Sequence, residues 1–99
     1  MSDRYAGLGA AIEEAISWGD ATFPRETLRS LSVHIRKEAR ELRRDPTDPH
    51  EIADVLMLTF ALANKAGVDV VSAFREKLAI CKAREWGEPD ADGVTEHVR

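Results

Sequence analysis

The fold is decided by residues 48–66, which read DPHEIADVLMLTFALANKA. Asp48 is suited to cap the start of a helix, Pro49 to be its first residue, and Gly67 to end it. Between these signals, residues 55–63 are apolar on every side of the helix apart from one threonine. Such a helix has to be covered over nearly all of its surface. Three other short helices cannot supply that cover, so we expect a second copy of the chain to complete the core.

Glycines and prolines divide the remaining sequence into three further helices. They are expected over residues 3–18, capped at Asp3 and ended by Gly19, over 25–44, and over 70–86, capped at Asp69. No segment alternates cleanly between apolar and polar residues, so strands are not expected. The sequence therefore predicts an all-α, four-helix bundle completed by homo-oligomerisation. It is expected to be a single domain over residues 1–99, with a polar and partly extended C-terminal tail over residues 87–99.

Composition excludes several classes of function. Among 99 residues, 14 are basic and 18 acidic, giving a net charge of −4, which argues against a binder of nucleic-acid polymers. The longest apolar run is far below the ~20 residues that span a bilayer, so no membrane association is expected. Cys81 is the only cysteine, so no intramolecular disulfide forms, and a reduced, cytoplasmic compartment is expected (the host cytoplasm if a phage encodes the chain).

Two acidic pairs stand at helical spacing. Glu38 and Glu41 lie one turn apart on the second helix, and Glu51 and Asp54 repeat the arrangement on the third. A short turn joins the two helices, so they should pack antiparallel and bring the pairs face to face. Four carboxylates beside an apolar core repel one another, and a hard divalent cation such as Mg²⁺ removes that conflict because it takes oxygen ligands.

Less specific interpretations of these acids remain open. Glu38 and Glu41 lie in a highly charged segment, which is typical of a solvated helix face. Glu51 is also placed to act as the third-position partner of Asp48 in an arrangement like a capping box. Asp54 is harder to explain structurally because it leads directly into the apolar run.

A family resemblance rests on these residues and on two later segments. The pattern Glu38-x-x-Glu41 followed by Glu51-x-x-Asp54 resembles the EExxE…ExxD signature of MazG-like all-α nucleoside triphosphate pyrophosphatases. Residues 34–38, the stretch KLAICKAREW at 77–86 and the ending at 89–99 are similar to the phage and bacterial dATP/dGTP diphosphohydrolase branch of that family. The resemblance covers most of the chain from about Trp18 onward.

The chain departs from the family pattern at two positions. Lys37 stands where the signature has its first glutamate, which leaves the four acids in place but removes a nearby negative charge. Cys81 stands where the family tends to have asparagine. A thiol contacts phosphate poorly, so either the substrate contacts differ or Cys81 packs in the core, and we favour packing.

The resemblance implies hydrolysis of a (deoxy)purine triphosphate, dGTP or dATP, between the α and β phosphates. It implies Mg²⁺, with Mn²⁺ as a substitute, held by Glu38, Glu41, Glu51 and Asp54. Either Glu38 or Glu41 is then the expected general base. The products are the nucleoside monophosphate and pyrophosphate, and the expected partners are the nucleotide and further copies of this chain, as a dimer or tetramer.

Six further residues are candidates for substrate binding. Lys77 and Arg84 are seven apart, on one face of the predicted fourth helix, and are candidates for the β and γ phosphates; a solvated helix face is the competing interpretation. His34 lies one turn before Glu38 and is expected to contact the sugar or an acidic ligand, or to sit at the core edge. Trp18, Trp86 and the nearby Phe23 are candidates for stacking on the base or for ordinary packing.

Two other functions are weighed against the enzyme. A di-iron carboxylate bundle requires Glu-x-x-His pairs, and none of His34, His50 and His97 completes one. A non-catalytic helical interaction module, with the acids as surface charge, predicts that the protein binds no Mg²⁺ and that Glu38→Ala or Asp54→Ala has no effect on function.

Overall fold

The computed structural model describes residues 3–98. Within that range the chain forms four helices and no strand: α1 is Leu8–Thr22, α2 is Leu28–Arg44, α3 is Pro49–Ala66 and α4 is Val70–Ala83. Contacts group the chain into two compact units. The first ends at Val68 and holds α1 to α3, and the second begins at Asp69 and holds α4 and the segment after it. The predicted all-α, four-helix class is confirmed, while the single domain over residues 1–99 stays a prediction.

Helix α3 begins and ends where the sequence predicts. The Asp48 carboxylate accepts hydrogen bonds from the backbone N–H groups of His50 at 2.8 Å and Glu51 at 3.3 Å. Gly67 closes the helix in the left-handed conformation, with φ 70°, which glycine adopts without steric cost. Both boundary signals act over a few residues, and the packing of the rest of the chain did not override them.

Helix α2 begins three residues later than predicted, at Leu28 instead of residue 25. The reason is a reciprocal cap between two hydroxyl residues. Thr27 Oγ1 accepts from the Ser30 backbone N–H at 3.0 Å, and Ser30 Oγ accepts from the Thr27 backbone N–H at 2.8 Å. This is a capping box with serine in place of the usual glutamate.

Helix α1 differs from the prediction at both ends. It runs from Leu8 to Thr22, whereas residues 3–18 were expected. Gly7 has φ 77°, and this left-handed residue separates the helix from the turns before it, so Asp3 is not its cap. Gly19 does not end the helix either; its carbonyl accepts the N–H of Phe23 at 2.7 Å.

Helix α4 starts at its predicted cap, where the Asp69 carboxylate accepts the Ser72 N–H at 3.2 Å, but it ends at Ala83 instead of residue 86. The following segment folds back on itself. The Gly87 N–H donates to the Glu96 carbonyl at 2.8 Å, and the Val98 N–H donates to the Glu85 carbonyl at the same distance. The predicted tail is therefore an ordered, hairpin-like loop up to residue 98, and Arg99 lies outside the described residues.

The core of the first unit lies between α2 and α3, which make the most extensive contact between helices. Leu31 is fully buried. The apolar helix α3 stays open to solvent in the single chain, with Leu56 49% and Met57 45% exposed. No single helix within residues 3–98 is long and apolar enough to cross a membrane; α3 and α4 reach that length and composition only when taken together.

Candidate active site

Three of the four predicted carboxylates converge. Glu38 on α2 and Glu51 and Asp54 on α3 each place one oxygen so that the three oxygens lie within 4.8 Å of one another. Glu38 and Glu51 are half-buried and Asp54 is exposed. Only four residues connect α2 to α3, so the helices form a hairpin in which Glu38 and Asp54 stand at similar distances from the turn. We call these three residues the carboxylate cluster.

Glu51 is the most perturbed member of the cluster. Its Oε2 atom is buried and has no hydrogen-bond partner among residues 3–98. Burial raises the pKa of its carboxyl group above the ordinary value, and the negative charges of Glu38 and Asp54 raise it further. Glu51 contributes its backbone N–H to the Asp48 cap, while its side chain belongs to the cluster. This orphaned acceptor among like charges fits a bound cation.

Glu41 is not brought into the cluster. Its carboxylate is exposed and accepts from Arg44 Nη1 at 3.2 and 3.3 Å, one turn along the same helix. An exposed pair of this kind is worth little energy, so Arg44 does not lock the carboxylate in place. The prediction that Glu41 ligates a metal or acts as a base stays a prediction.

His34 stands directly against the cluster. Its Nε2 lies 3.3 Å from Glu38 Oε1, one helical turn away, and about half of its side chain is exposed. His34 thus contacts an acidic residue of the cluster, and because it also lines the cavities beside the cluster, its contact with the sugar stays a prediction. The imidazole is placed to fix the direction in which the Glu38 carboxylate points.

A large cavity of about 710 Å³ opens between α1, α2 and α3. Its lining is mostly apolar, from α1 and α3, but it also includes His34, Glu38 and Asp54. Trp18 and Phe23 line the same cavity and meet edge to face, with ring centroids 5.4 Å apart and planes at 84°. The volume and the few polar groups are those of a small-molecule site, and one space joins the predicted stacking residues to the carboxylate cluster.

A second cavity, of about 610 Å³, runs along the first half of α2. It shares Glu26, His34 and Glu38 with the first cavity, and its other lining residues include Arg29 and Lys37. Sequence reasoning did not select Arg29, and it treated Lys37 only as a lost negative charge. Helical spacing gave no signal here, because charged residues at every third or fourth position look like a solvated face.

The remaining predicted residues lie in the second unit. Lys77 is exposed on α4, but Arg84 follows the helix end in an extended conformation, with φ −84° and ψ 152°. Arg84 is thus the first residue after α4, and the expectation that Lys77 and Arg84 share a face and bind the β and γ phosphates stays a prediction. Trp86 also lies beyond the helix, where its Nε1–H donates to the Cys81 carbonyl at 2.8 Å and its ring lies nearly perpendicular to that of His97. Cys81 is half-buried, in keeping with a packing role.

Comparison with known proteins gives concordant results. The family model described as dATP/dGTP pyrophosphohydrolase matches residues 11–99. A dATP/dGTP diphosphohydrolase of Salmonella phage PMBT28 is 36% identical over 94 residues, which is 93% of this chain and 32% of that protein. A dATP/dGTP diphosphohydrolase of Cyanophage S-2L is 51% identical over 51 residues, which is 52% of this chain and 48% of that protein. The chain thus spans a third to a half of the length of these curated relatives.

One solved structure matches nearly the whole chain. It is the Cyanophage S-2L MazG-like pyrophosphohydrolase, bound to dGDP and three catalytic Mn²⁺ ions per active site. The match has a TM-score of 0.82 and 34% sequence identity, and it covers 95% of this chain and 99% of that one. Similarity at this level extends over the helices that carry the cluster and both cavities.

Proposed function

The chain belongs to the dATP/dGTP pyrophosphohydrolase family, and from this premise we propose that it hydrolyses a purine deoxynucleoside triphosphate, dGTP or dATP, to the monophosphate and pyrophosphate. The observation that carries the proposal is the carboxylate cluster with its unpartnered Glu51 oxygen. The names of the relatives and the dGDP in the solved neighbour support the substrate class.

The cluster fits a divalent metal centre. Glu38, Glu51 and Asp54 would hold Mg²⁺, or Mn²⁺ in its place, and Glu41 would join them after leaving Arg44. When bound, the metal supplies positive charge to the phosphoryl oxygens and lowers the pKa of a bound water. A bound cation would also offset the burial and the carboxylate repulsion that together raise the Glu51 pKa.

The side chains around the cluster have separate tasks in this proposal. His34 holds the Glu38 carboxylate in a fixed direction through the 3.3 Å contact. Glu38 or Glu41 takes the proton of the attacking water, and an exposed Glu41 can return that proton to solvent. The electron pair of the broken bond goes to the bridging oxygen of the departing pyrophosphate.

The apolar cavity would hold the nucleoside. Trp18 and Phe23 offer ring surface to a purine, and the same cavity reaches Glu38 and Asp54, so a base bound there places its phosphates at the cluster. From the second unit, Lys77 and Arg84 are proposed to meet phosphate oxygens. Trp86 offers only its ring to a base, because its N–H is already donated to the Cys81 carbonyl.

We also propose that the active form is a homo-oligomer, a dimer or a tetramer. Leu56 and Met57 of α3 and Phe74 of α4, the last 70% exposed, are large apolar side chains that solvent reaches in the single chain. Leu56 and Met57 also line the nucleoside cavity, so a second copy that covers them would form part of its wall. Burying such surface against a second copy is favourable at about 25 cal/mol per Å². Light scattering coupled to gel filtration measures the mass directly. Each chain has a net charge of −4, so we propose that the enzyme acts on free nucleotides and not on nucleic-acid polymers. We also propose that it does so in the cytoplasm.

The reaction is tested with a panel of dNTPs and NTPs in Mg²⁺, with products separated by anion-exchange chromatography. We expect monophosphate and pyrophosphate in equal amounts, with dGTP and dATP turned over fastest. Glu38→Gln should abolish turnover, whereas Asp20→Asn, an exposed acid on α1, should leave it unchanged. Folded protein that turns over no nucleotide would support a non-catalytic module instead, and release of orthophosphate alone would contradict attack at the α-phosphate.

A further inference from the structure

The second cavity adjoins the carboxylate cluster and is separate from the cavity proposed for the nucleoside. It begins at His34 and Glu38, which also line the nucleoside cavity, and it continues along α2 past Lys37 to Arg29. The hydroxyl-bearing cap formed by Thr27 and Ser30 also lines it. Its lining is thus polar, in contrast to the apolar walls around Trp18.

Arg29 and Lys37 are both available to a ligand. Within residues 3–98 neither of them forms an ion pair, whereas Arg44, near the end of the same helix, is engaged by Glu41. Cations that face a concave site without a protein partner attract anions, and guanidinium and ammonium groups both bind phosphate oxygens well. Glu26 lies where the two cavities meet, since it lines both, and it offsets part of this positive charge.

The order of the residues along α2 matches the order of phosphates in a substrate. Arg29 and Lys37 are eight residues apart, which corresponds to about 12 Å along a helix axis. Both side chains are long enough to lean toward each other and contact neighbouring phosphates. Lys37 stands next to Glu38 of the cluster, and Arg29 lies farther away. With the α-phosphate at the cluster and the nucleoside in the first cavity, the β- and γ-phosphates require an adjoining space, and the second cavity is such a space.

We propose that Arg29 and Lys37 form a pyrophosphate-binding subsite, in which Lys37 binds the β-phosphate and Arg29 the γ-phosphate of the substrate. The inference rests on the proposed function and assigns a task to Lys37, which replaces a glutamate of the family signature. A lysine there exchanges one negative charge at the site for a positive one, and so favours the anionic leaving group where a carboxylate would repel it.

The subsite is tested by isothermal titration with three probes: dGMP, dGDP and the α,β-imido analogue of dGTP, all in Mg²⁺. Losing one hydrogen bond to a charged group weakens binding by about tenfold. Lys37→Met is therefore expected to weaken both dGDP and the triphosphate analogue about tenfold, and Arg29→Met only the triphosphate analogue. Neither variant should change the affinity for dGMP. Glu26→Gln should increase the affinity for the triphosphate analogue.

Arg36→Met and Arg40→Met are the matched controls, because both are exposed on α2 and line neither cavity; they should bind every probe as the wild type does. The subsite is wrong if Arg29→Met and Lys37→Met, folded as judged by thermal unfolding, bind all three probes as the wild type does. It is equally wrong if dGMP binding falls as much as that of the triphosphate analogue. The wild type separates the two proposals: if it turns over dGTP while these variants bind normally, the subsite fails and the proposed function stands.

Discussion

Replacing Asp54 with asparagine is the sharpest test of the metal centre. The substitution keeps the shape of the side chain on α3 and removes one of the three carboxylates whose oxygens lie within 4.8 Å of one another. Asp54 is exposed and its side chain takes part in no helix cap, so the fold should tolerate the change. A cation held by the cluster then loses a full ligand charge.

The size of the effect follows from linkage between metal binding and folding. A cation present at a hundred times its Kd stabilises the folded state by about 2.7 kcal/mol. For a chain of this length each kcal/mol moves Tm by roughly 4–8 °C, so Mg²⁺ should raise Tm by roughly 10–20 °C. Replacing a residue that only hydrogen-bonds to a metal ligand already lowers metal affinity by about 10–100-fold, so loss of a ligand itself should cost at least as much. At about 100-fold weaker binding the gain falls to about 0.4 kcal/mol, or roughly 2–3 °C.

The assay is thermal unfolding followed by circular dichroism, after EDTA treatment and at fixed protein concentration, with and without Mg²⁺. Asp20→Asn is the matched control, since it makes the same chemical change at an exposed position on α1, and it should keep the full Mg²⁺ response. The reasoning is refuted if Asp54→Asn keeps that response as well, or if the wild type shows none.

Three further predictions concern stability. Burial and neighbouring carboxylates raise the pKa of Glu51, so its contribution to stability is greatest at acid pH and is lost as pH rises through the raised pKa. In EDTA, the Glu51→Gln variant should therefore have a higher Tm than the wild type near neutral pH, and the same Tm at pH values below the ordinary glutamate pKa. Once Mg²⁺ is added, the variant should have the lower Tm, because it has lost a metal ligand. Thr27→Ala removes the hydrogen bond that the Ser30 N–H donates at 3.0 Å and should cost about 1 kcal/mol, seen as a lower Tm, whereas an unchanged Tm would mean that the cap contributes nothing. Trp86→Phe removes the 2.8 Å bond to the Cys81 carbonyl and should speed amide exchange in the segment after α4, and equal exchange rates would contradict that role.

Boundary signals confined to a few residues explain why α3 was predictable and α1 was not. At α3, Asp48 and Gly67 are each the best local choice, and no neighbour competes with them. At α1, Asp3 satisfies the rule for a cap, but Gly7 takes a positive φ and starts the helix five residues later than predicted. The observed start has no side-chain cap, so a search for capping side chains could not have found it.

The convergence of three acids was predictable because helical spacing and a short connection between helices act together. Spacing of three on α3 and a short hairpin turn are enough to bring Glu51 and Asp54 to Glu38. Spacing alone failed for Glu41, because it cannot show that Arg44, also three residues away, engages that carboxylate. The second cavity was missed for a related reason: a pattern of charges does not reveal whether a helix face lies on open solvent or on a concave wall.

Metal binding and self-association should be coupled through α3. The start of this helix carries Glu51 and Asp54, and the next turn carries Leu56 and Met57, which are half exposed in the single chain. A second copy that covers Leu56 and Met57 holds the backbone of that turn and so fixes the cluster one turn earlier, while a bound cation orders the same backbone from the other end. Because coupling free energy is reciprocal, Mg²⁺ should lower the dissociation constant of the oligomer. Sedimentation velocity across a dilution series, in Mg²⁺ and in EDTA, measures the change, and identical dissociation constants would show that α3 does not transmit it.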